Sequence, residues 1–381
     1  MRTLRLVFLA LALLVLPVGM LLLPPTRRAF GRLVTWFERH VSPAGAPPPL
    51  LPTSLIGFRL PALPALETWL NGPPQRADSL RGKVTAIVLW RDTDPQSLWK
   101  LLGAQVWHEH LGRSGVEVVG IHLPEFAFAA DSAVPAAAIR RLGVTFPIAL
   151  DPGLRTWKVL GPHAGGPRVL IVDRDGRVVF DERGEGVPMA SDRAITRAVL
   201  GHDGPPMRVT GGQGPGPHPA VHVGNARVTR GPLVGVPTGQ LTVFPVVFRS
   251  QVEGEAWTPY PVGTWTPGAD GATAARGGAA TIMALRYSGP ALSVVMSPPA
   301  TGPTRVWFLR DERWPARGDA GADVQFDPSG AASIWVDRPR LYTLAVGGVG
   351  MHVAKLSPED PGLTIYTFHF TPGPGDGPRQ P

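Results

Sequence analysis

The distribution of apolar and polar positions divides the chain into three regimes. An uncharged, largely apolar run from Leu6 to Leu23 follows Arg2 and Arg5, and it is long enough to cross a bilayer core. It predicts one N-terminal transmembrane helix, a signal anchor over residues 1–25, with a cleaved signal as the alternative. Residues 28–41 place Phe30, Leu33, Val34, Phe37 and Val41 on one helical face. That suits an interfacial amphipathic helix or a helix packed on the next domain. Ser42–Pro52 is Pro-rich and stiff, so residues 26–53 read as juxtamembrane helix and linker.

The second regime, residues 54–201, alternates buried-strand runs with helical periods. Strands are expected at Val84–Trp90, Val116–His122 and Phe146–Leu150, and a hairpin at Arg168–Asp173 and Val178–Glu182. Helices are expected from Pro95 to about Arg113, over Ala136–Leu142, around Leu154–Leu160 and from about Ala190 to Leu200. This order predicts an α/β sheet with an antiparallel edge. Residues 202–240 are so rich in Gly and Pro that they read as linker or irregular wrapping. Across residues 241–371 the helical period disappears. Runs such as "TVFPVVF", "TRVWFLR", "ASIWVD" and "LTIYTFHF" recur between Gly, Pro and Asp breaks, predicting an all-β sandwich of jelly-roll type. Residues 372–381 read as a disordered tail.

Composition narrows the chemistry. Cysteine is absent from the chain, which excludes dithiol exchange, Cys-ligated zinc and disulfides. The net charge of +8 comes from Arg residues scattered among acidic ones; nucleic-acid binders gather such charge on one face, so no nucleic-acid partner is expected. "WHEH" at Trp107–His110 has the wrong spacing for a zinc helix, because His108 and His110 point apart on a helix. No metal or cofactor is expected.

The junction "VTAIVLWRDTDPQSLWKLL" from Val84 carries the candidate site. Asp94 is a good N-cap and Pro95 a good first-turn residue. Ser97 has neither a triad spacing nor a nucleophile elbow around it. "IHLPEFAF" ends the second strand at the sheet edge where α/β folds place ligands, bringing His122 and Glu125 near this loop. A His–carboxylate pair there could bind a ligand or move protons, or simply pack the loop. In the β region Trp257, Tyr260, Trp265, Trp307 and Trp335 could stack on sugars; Trp307 and Trp335, inside strand-like runs, are expected in the core.

The stretches "LRGKVTAIVLW" from Leu80, "WHEHLGRSGVEVVGIHLPEFAFAAD" from Trp107, "LGVTFPIALD" from Leu142 and "GGPRVLIVDRDGRVVFDERGEG" from Gly165 resemble DipZ-type proteins, relatives of TlpA-like thioredoxins. "GTWTPGADGATAA" from Gly263, "DRPRLYTLAVGGVGMHVAKL" from Asp337 and "PGLTIYTFHF" from Pro361 resemble the family's carbohydrate-binding-module-like domain. The resemblance implies a thioredoxin-like domain over 54–201 and a carbohydrate-binding-module-like β-sandwich over 241–371, both extracytoplasmic, or secreted if the signal is cleaved. It sets Asp94 and Ser97 at the two reactive cysteines, Trp90 at the preceding Trp and Pro167 at the facing cis-proline. It thereby implies a thiol-disulfide oxidoreductase fold that has lost its redox chemistry. The expected ligand-binding residues are Trp90, Asp94, Ser97, His122, Glu125 and Pro167. A peptide or protein in the thioredoxin groove and a glycan at the sandwich are the expected partners, with the membrane held by the N-terminal helix. An enzyme with non-thiol chemistry at the degenerate loop and a structural envelope protein remain the alternatives.

Overall fold

The computed structural model describes residues 54–75, 80–160, 167–184, 188–202, 220–245 and 255–371. The expected anchor, juxtamembrane helix, Pro-rich linker and C-terminal tail lie outside them. Among the described residues no helix is long and apolar enough to cross a membrane.

The α/β part runs β1 (Trp69–Leu70), β2 (Val84–Trp90), α1 (Pro95–Leu111), β3 (Val116–His122), α2 (Ala133–Leu142), β4 (Ile148–Leu150), α3 (Arg155–Leu160), β5 (Arg168–Val172), β6 (Val178–Arg183) and α4 (Pro188–Leu200). The sheet order is β1-β4-β3-β2-β5-β6. Strand β2 pairs in parallel with β3 and antiparallel with β5. A parallel core closed by an antiparallel hairpin is the thioredoxin-like arrangement. All of β2 is buried, as a central strand covered on both faces must be, which explains its continuous apolar run. Its alternate residues feed two cores. Ala86, Val88 and Trp90 pack with Leu101, Ala104 and Trp107 of α1, while Ile87 and Leu89 pack with Leu160 and Leu170 on the opposite face.

The β part comprises β7 (Ala220–His222), β8 (Thr242–Phe244), β9 (Pro259–Pro267), β10 (Ala272–Ala274), β11 (Ile282–Ser288), β12 (Ala291–Ser297), β13 (Thr304–Arg310), β14 (Val324–Phe326), β15 (Ala332–Val336), β16 (Arg340–Ala345), β17 (Met351–Pro358) and β18 (Thr364–Thr371). One wing has the order β14-β15-β13-β17-β11-β9 and the other β9-β10-β18-β12-β16, the alternating order of a jelly roll. Strand β9 belongs to both. Its first half pairs with β11, and its second half pairs with β8 and β10. The turn between halves falls at Gly263, where φ is +83° and a Cβ would lie 2.4 Å from the Ala280 carbonyl oxygen. Only glycine fits such a corner.

Two expectations change here. Residues 220–240 are not all linker: β7 pairs with β18, and Val223 and Leu233 are buried in the β core. Gly224 permits a close approach of two backbones, since a Cβ on it would lie 2.2 Å from the Asp270 carbonyl carbon. Trp307 and Trp335 are not core residues, and Trp335 is 46% exposed. Val306, Phe308, Ile334 and Val336 take the inward positions, and strand alternation turns the two Trp residues outward.

The outward side of the β12/β16/β18 wing does not face solvent throughout. Val295 and Leu341 join the α/β core that contains Trp90 and Phe126. The Tyr366 ring centre lies 5.0 Å from that of Phe126 and 5.0 Å from that of Phe128. The β part is therefore docked on the end of the α/β sheet that carries the β2–α1 junction.

Candidate functional site

Helix α1 begins at Asp94, whose backbone is extended (φ −113°, ψ 116°) and whose Oδ1 accepts from the Gln96 amide at 3.0 Å. Ser97 Oγ donates to Asp94 Oδ2 at 2.9 Å. The two residues that the resemblance sets at the cysteine positions are thus hydrogen-bonded to each other. A carboxylate acceptor makes this a charge-assisted bond that fixes the first turn of α1.

His122 ends β3 opposite Trp90 in the parallel register. Its Nε2 lies 2.7 Å from Asp92 Oδ1, with both side chains 2% exposed. The Trp90 indole meets the imidazole edge-on at 4.9 Å. The His–carboxylate pair expected between His122 and Glu125 is therefore made with Asp92. Trp90 and His122 share a register position, so the residue two beyond Trp90 falls over the imidazole, while Glu125 is carried onward.

Glu125 engages both parts of the molecule. Its Oε2 accepts from Thr93 Oγ1 at 2.8 Å, and its Oε1 accepts from Arg227 Nη1 of the β part at 2.8 Å. Arg91 Nη1 stands 3.7 Å away, and the carboxylate is 5% exposed. Burial pushes the Glu125 carboxyl up, but the Arg91 charge, aided by the Thr93 hydrogen bond, outweighs it and holds the group below its usual value. Arg227 also lies 5.5 Å over the Phe126 ring.

Two histidines of the β part face this cluster. His222 of β7 is registered opposite Thr367 of β18, and Ala220 opposite His369, so the two imidazoles share one face of the strand pair. Neither ring nitrogen of His369 nor Nδ1 of His222 has a hydrogen-bond partner. Burial lowers the His222 pKa to about 4, against the raising effect of Glu125. Burial also holds His369 below its ordinary value, opposed by Asp94 and Glu125. Both imidazoles are neutral at neutral pH.

Among the expected site residues, Trp90, Ser97, His122 and Pro167 are buried, and Asp94 is half-buried. The Pro167 carbonyl accepts from the Gly184 amide at 2.7 Å. No peptide bond among the described residues is cis, and the bond preceding Pro167 starts at Gly166, outside them. His108 and His110 point apart: the first lies 6.0 Å from the Phe146 ring, while His110 Nδ1 contacts the Val106 carbonyl at 2.9 Å. Arg91, Asp92, Thr93, Arg227, His222 and His369 were not legible as site residues. Asp92 had a signal, since it follows β2 directly within "WRDTD". The β-part residues had none, because nothing local says which outward face of a sandwich will be covered.

Residues 246–371 match the family model described as thioredoxin like C-terminal domain. The chain is 33% identical over 129 residues to Protein DipZ of Mycobacterium bovis and equally to that of Mycobacterium tuberculosis. Those matches take in 33% of this chain and only 18% of each relative's length. Among solved structures, a putative protein disulfide isomerase from Bacteroides thetaiotaomicron shares 24% identity over 38% of this chain and 90% of its own, with a TM-score of 0.33. A putative thiol:disulfide interchange protein DsbE from Chlorobium tepidum shares 18% over 37% of this chain and 99% of its own, with a TM-score of 0.31.

Proposed function

We propose that this chain is a redox-inactive binding protein of the DipZ/TlpA type, held at a membrane by its N-terminal apolar segment with the described domains outside the cytoplasm. One observation carries the reading: Asp94 and Ser97 are bonded to each other, with no thiol in the chain, at a face docked against the β part. Disulfide exchange needs a thiolate nucleophile, so the purified protein should not reduce insulin disulfides; measurable reduction would contradict the reading.

A ligand surface is offered by the outer side of the other wing. Trp335 is 46% and Trp314 42% exposed. The Trp307 ring lies 6.1 Å from Trp314 and 5.3 Å from the Arg305 guanidinium. Indole faces suit the apolar faces of sugar rings, and a guanidinium beside them can donate to hydroxyls; a glycan is the partner this face fits. Retention on polysaccharide gels should be lost when Trp307→Ala and Trp335→Ala are combined, and unchanged retention would remove the glycan from the proposal. A peptide in the thioredoxin-like groove would need the surface that Arg227 and His369 now cover.

A further inference from the structure

At one end of the β part the inward-facing rows change from apolar to polar. Strand β13 sends Val306 and Phe308 into the core, and the same alternation sends in Arg310, which is 6% exposed. Strand β11 follows Met283 and Leu285 with Tyr287, which is fully buried. Strand β17 places His352 opposite Tyr287 and the small Ala354 opposite both Leu285 and Arg310. The Arg310 guanidinium can therefore lie across Ala354, and it sits 5.8 Å from the Tyr287 ring centre. The His352 ring lies 5.7 Å from the same phenol ring.

Several polar groups here are buried without partners at hydrogen-bond distance. Arg310 Nη1 donates to the Gly347 carbonyl, but its Nε and Nη2 have no partner. Tyr287 Oη and His352 Nε2 meet no partner at normal hydrogen-bond distance, although the Arg310 guanidinium is near enough to act on the phenol as a donor. His352 Nδ1 donates to Asp311 Oδ2 at 2.7 Å, which leaves Nε2 as the ring's acceptor. Two carboxylates lie nearby. Asp311 is engaged by His352 and by the Val353 amide, and Asp319 lies beside Gly347 without forming an ion pair to Arg310. An arginine cannot escape burial by losing its proton, so an unpaired one is costly unless an anion completes it.

The backbone over the guanidinium is a glycine strap, Val346–Gly350. At Gly348 φ is +85°, and a Cβ would stand 2.9 Å from Arg310 Nη2. Val346 and Val349 beside it are 53% and 78% exposed. At Gly348 the strap thus passes close to the guanidinium with no side chain between them.

We propose that this cluster binds a small carboxylate ligand, with the Arg310 fork on the carboxylate and Tyr287 Oη donating to it beneath the strap. A planar carboxylate matches the two free N–H groups of Arg310. The site is distinct from the outward Trp face, so it stands or falls independently of glycan stacking there. Calorimetric titration of the full chain with acetate, glucuronate and inorganic phosphate, with methyl glucoside as the neutral control, tests it. Saturable binding of acetate and glucuronate is expected, with none of methyl glucoside and phosphate the weaker anion. Tyr287→Phe, which keeps the ring, should weaken binding several-fold, and Arg310→Gln by at least tenfold. Binding left unchanged in either variant, phosphate binding tighter than the carboxylates, or no anion response in the wild type would overturn the proposal.

Discussion

Asp94 is a structural residue that holds the start of α1. Its carboxylate caps α1 and accepts from Ser97. Asp94→Ala should therefore cost about 1 kcal/mol or somewhat more in urea unfolding, while Asp94→Asn keeps most of the cap. The cap was legible in the sequence, because Asp followed by Pro before a helical period is a local signal. Its bond to Ser97 follows from the same first-turn spacing. The pairing of His122 with Asp92 was not read, although the strand register contains it. His122→Ala should leave Asp92 buried without its partner and destabilise the fold by roughly 1–3 kcal/mol; a variant as stable as the wild type would contradict the pairing.

Among the elements, β2, β3 and α1 were readable because their patterns are long and of one period. Strand β7 was not, since three residues among glycines and prolines carry no periodicity, and its place is set by pairing with β18. The outward turn of Trp307 and Trp335 needed only strict alternation, but bulk argued the other way. Strand β9 offers a direct test of the two-wing architecture. Gly263→Ala would force a Cβ against the Ala280 carbonyl at a left-handed φ, and should cost about 1–3 kcal/mol. The β7/β18 pair brings two neutral imidazoles to the contact with the α/β part. Their pKa values in the docked form lie below the ordinary 6.5, His222 at about 4, so the docked form binds fewer protons. Docking is then fully supported above pH 6.5 and weakens as pH falls towards 4. Glu125, held low while docked, adds a loss in the same direction at the acid end. Proteolysis between the two parts should accelerate on acidification through this window, and His222→Gln combined with His369→Gln should flatten the response.

At the scale of the whole molecule, the thioredoxin-like end of the sheet is occupied by the chain's own β part. Sequence patterns described each part separately; the contact between them is long-range, resting on Arg227 with Glu125 and on Tyr366 with Phe126 and Phe128. No window of sequence contains both partners, which is why the candidate site read as an open groove. The missing cysteines make the arrangement directly measurable, since any introduced thiol is the chain's only one. Thr93 is fully buried and donates to the carboxylate that Arg227 engages, whereas Ser329 is exposed. The most direct test is the maleimide labelling rate of Thr93→Cys at neutral pH, measured relative to Ser329→Cys. The docked arrangement predicts labelling at least tenfold slower at Thr93→Cys, and a marked rise when Arg227→Ala is added. Equal rates at the two positions, with no effect of Arg227→Ala, would contradict it.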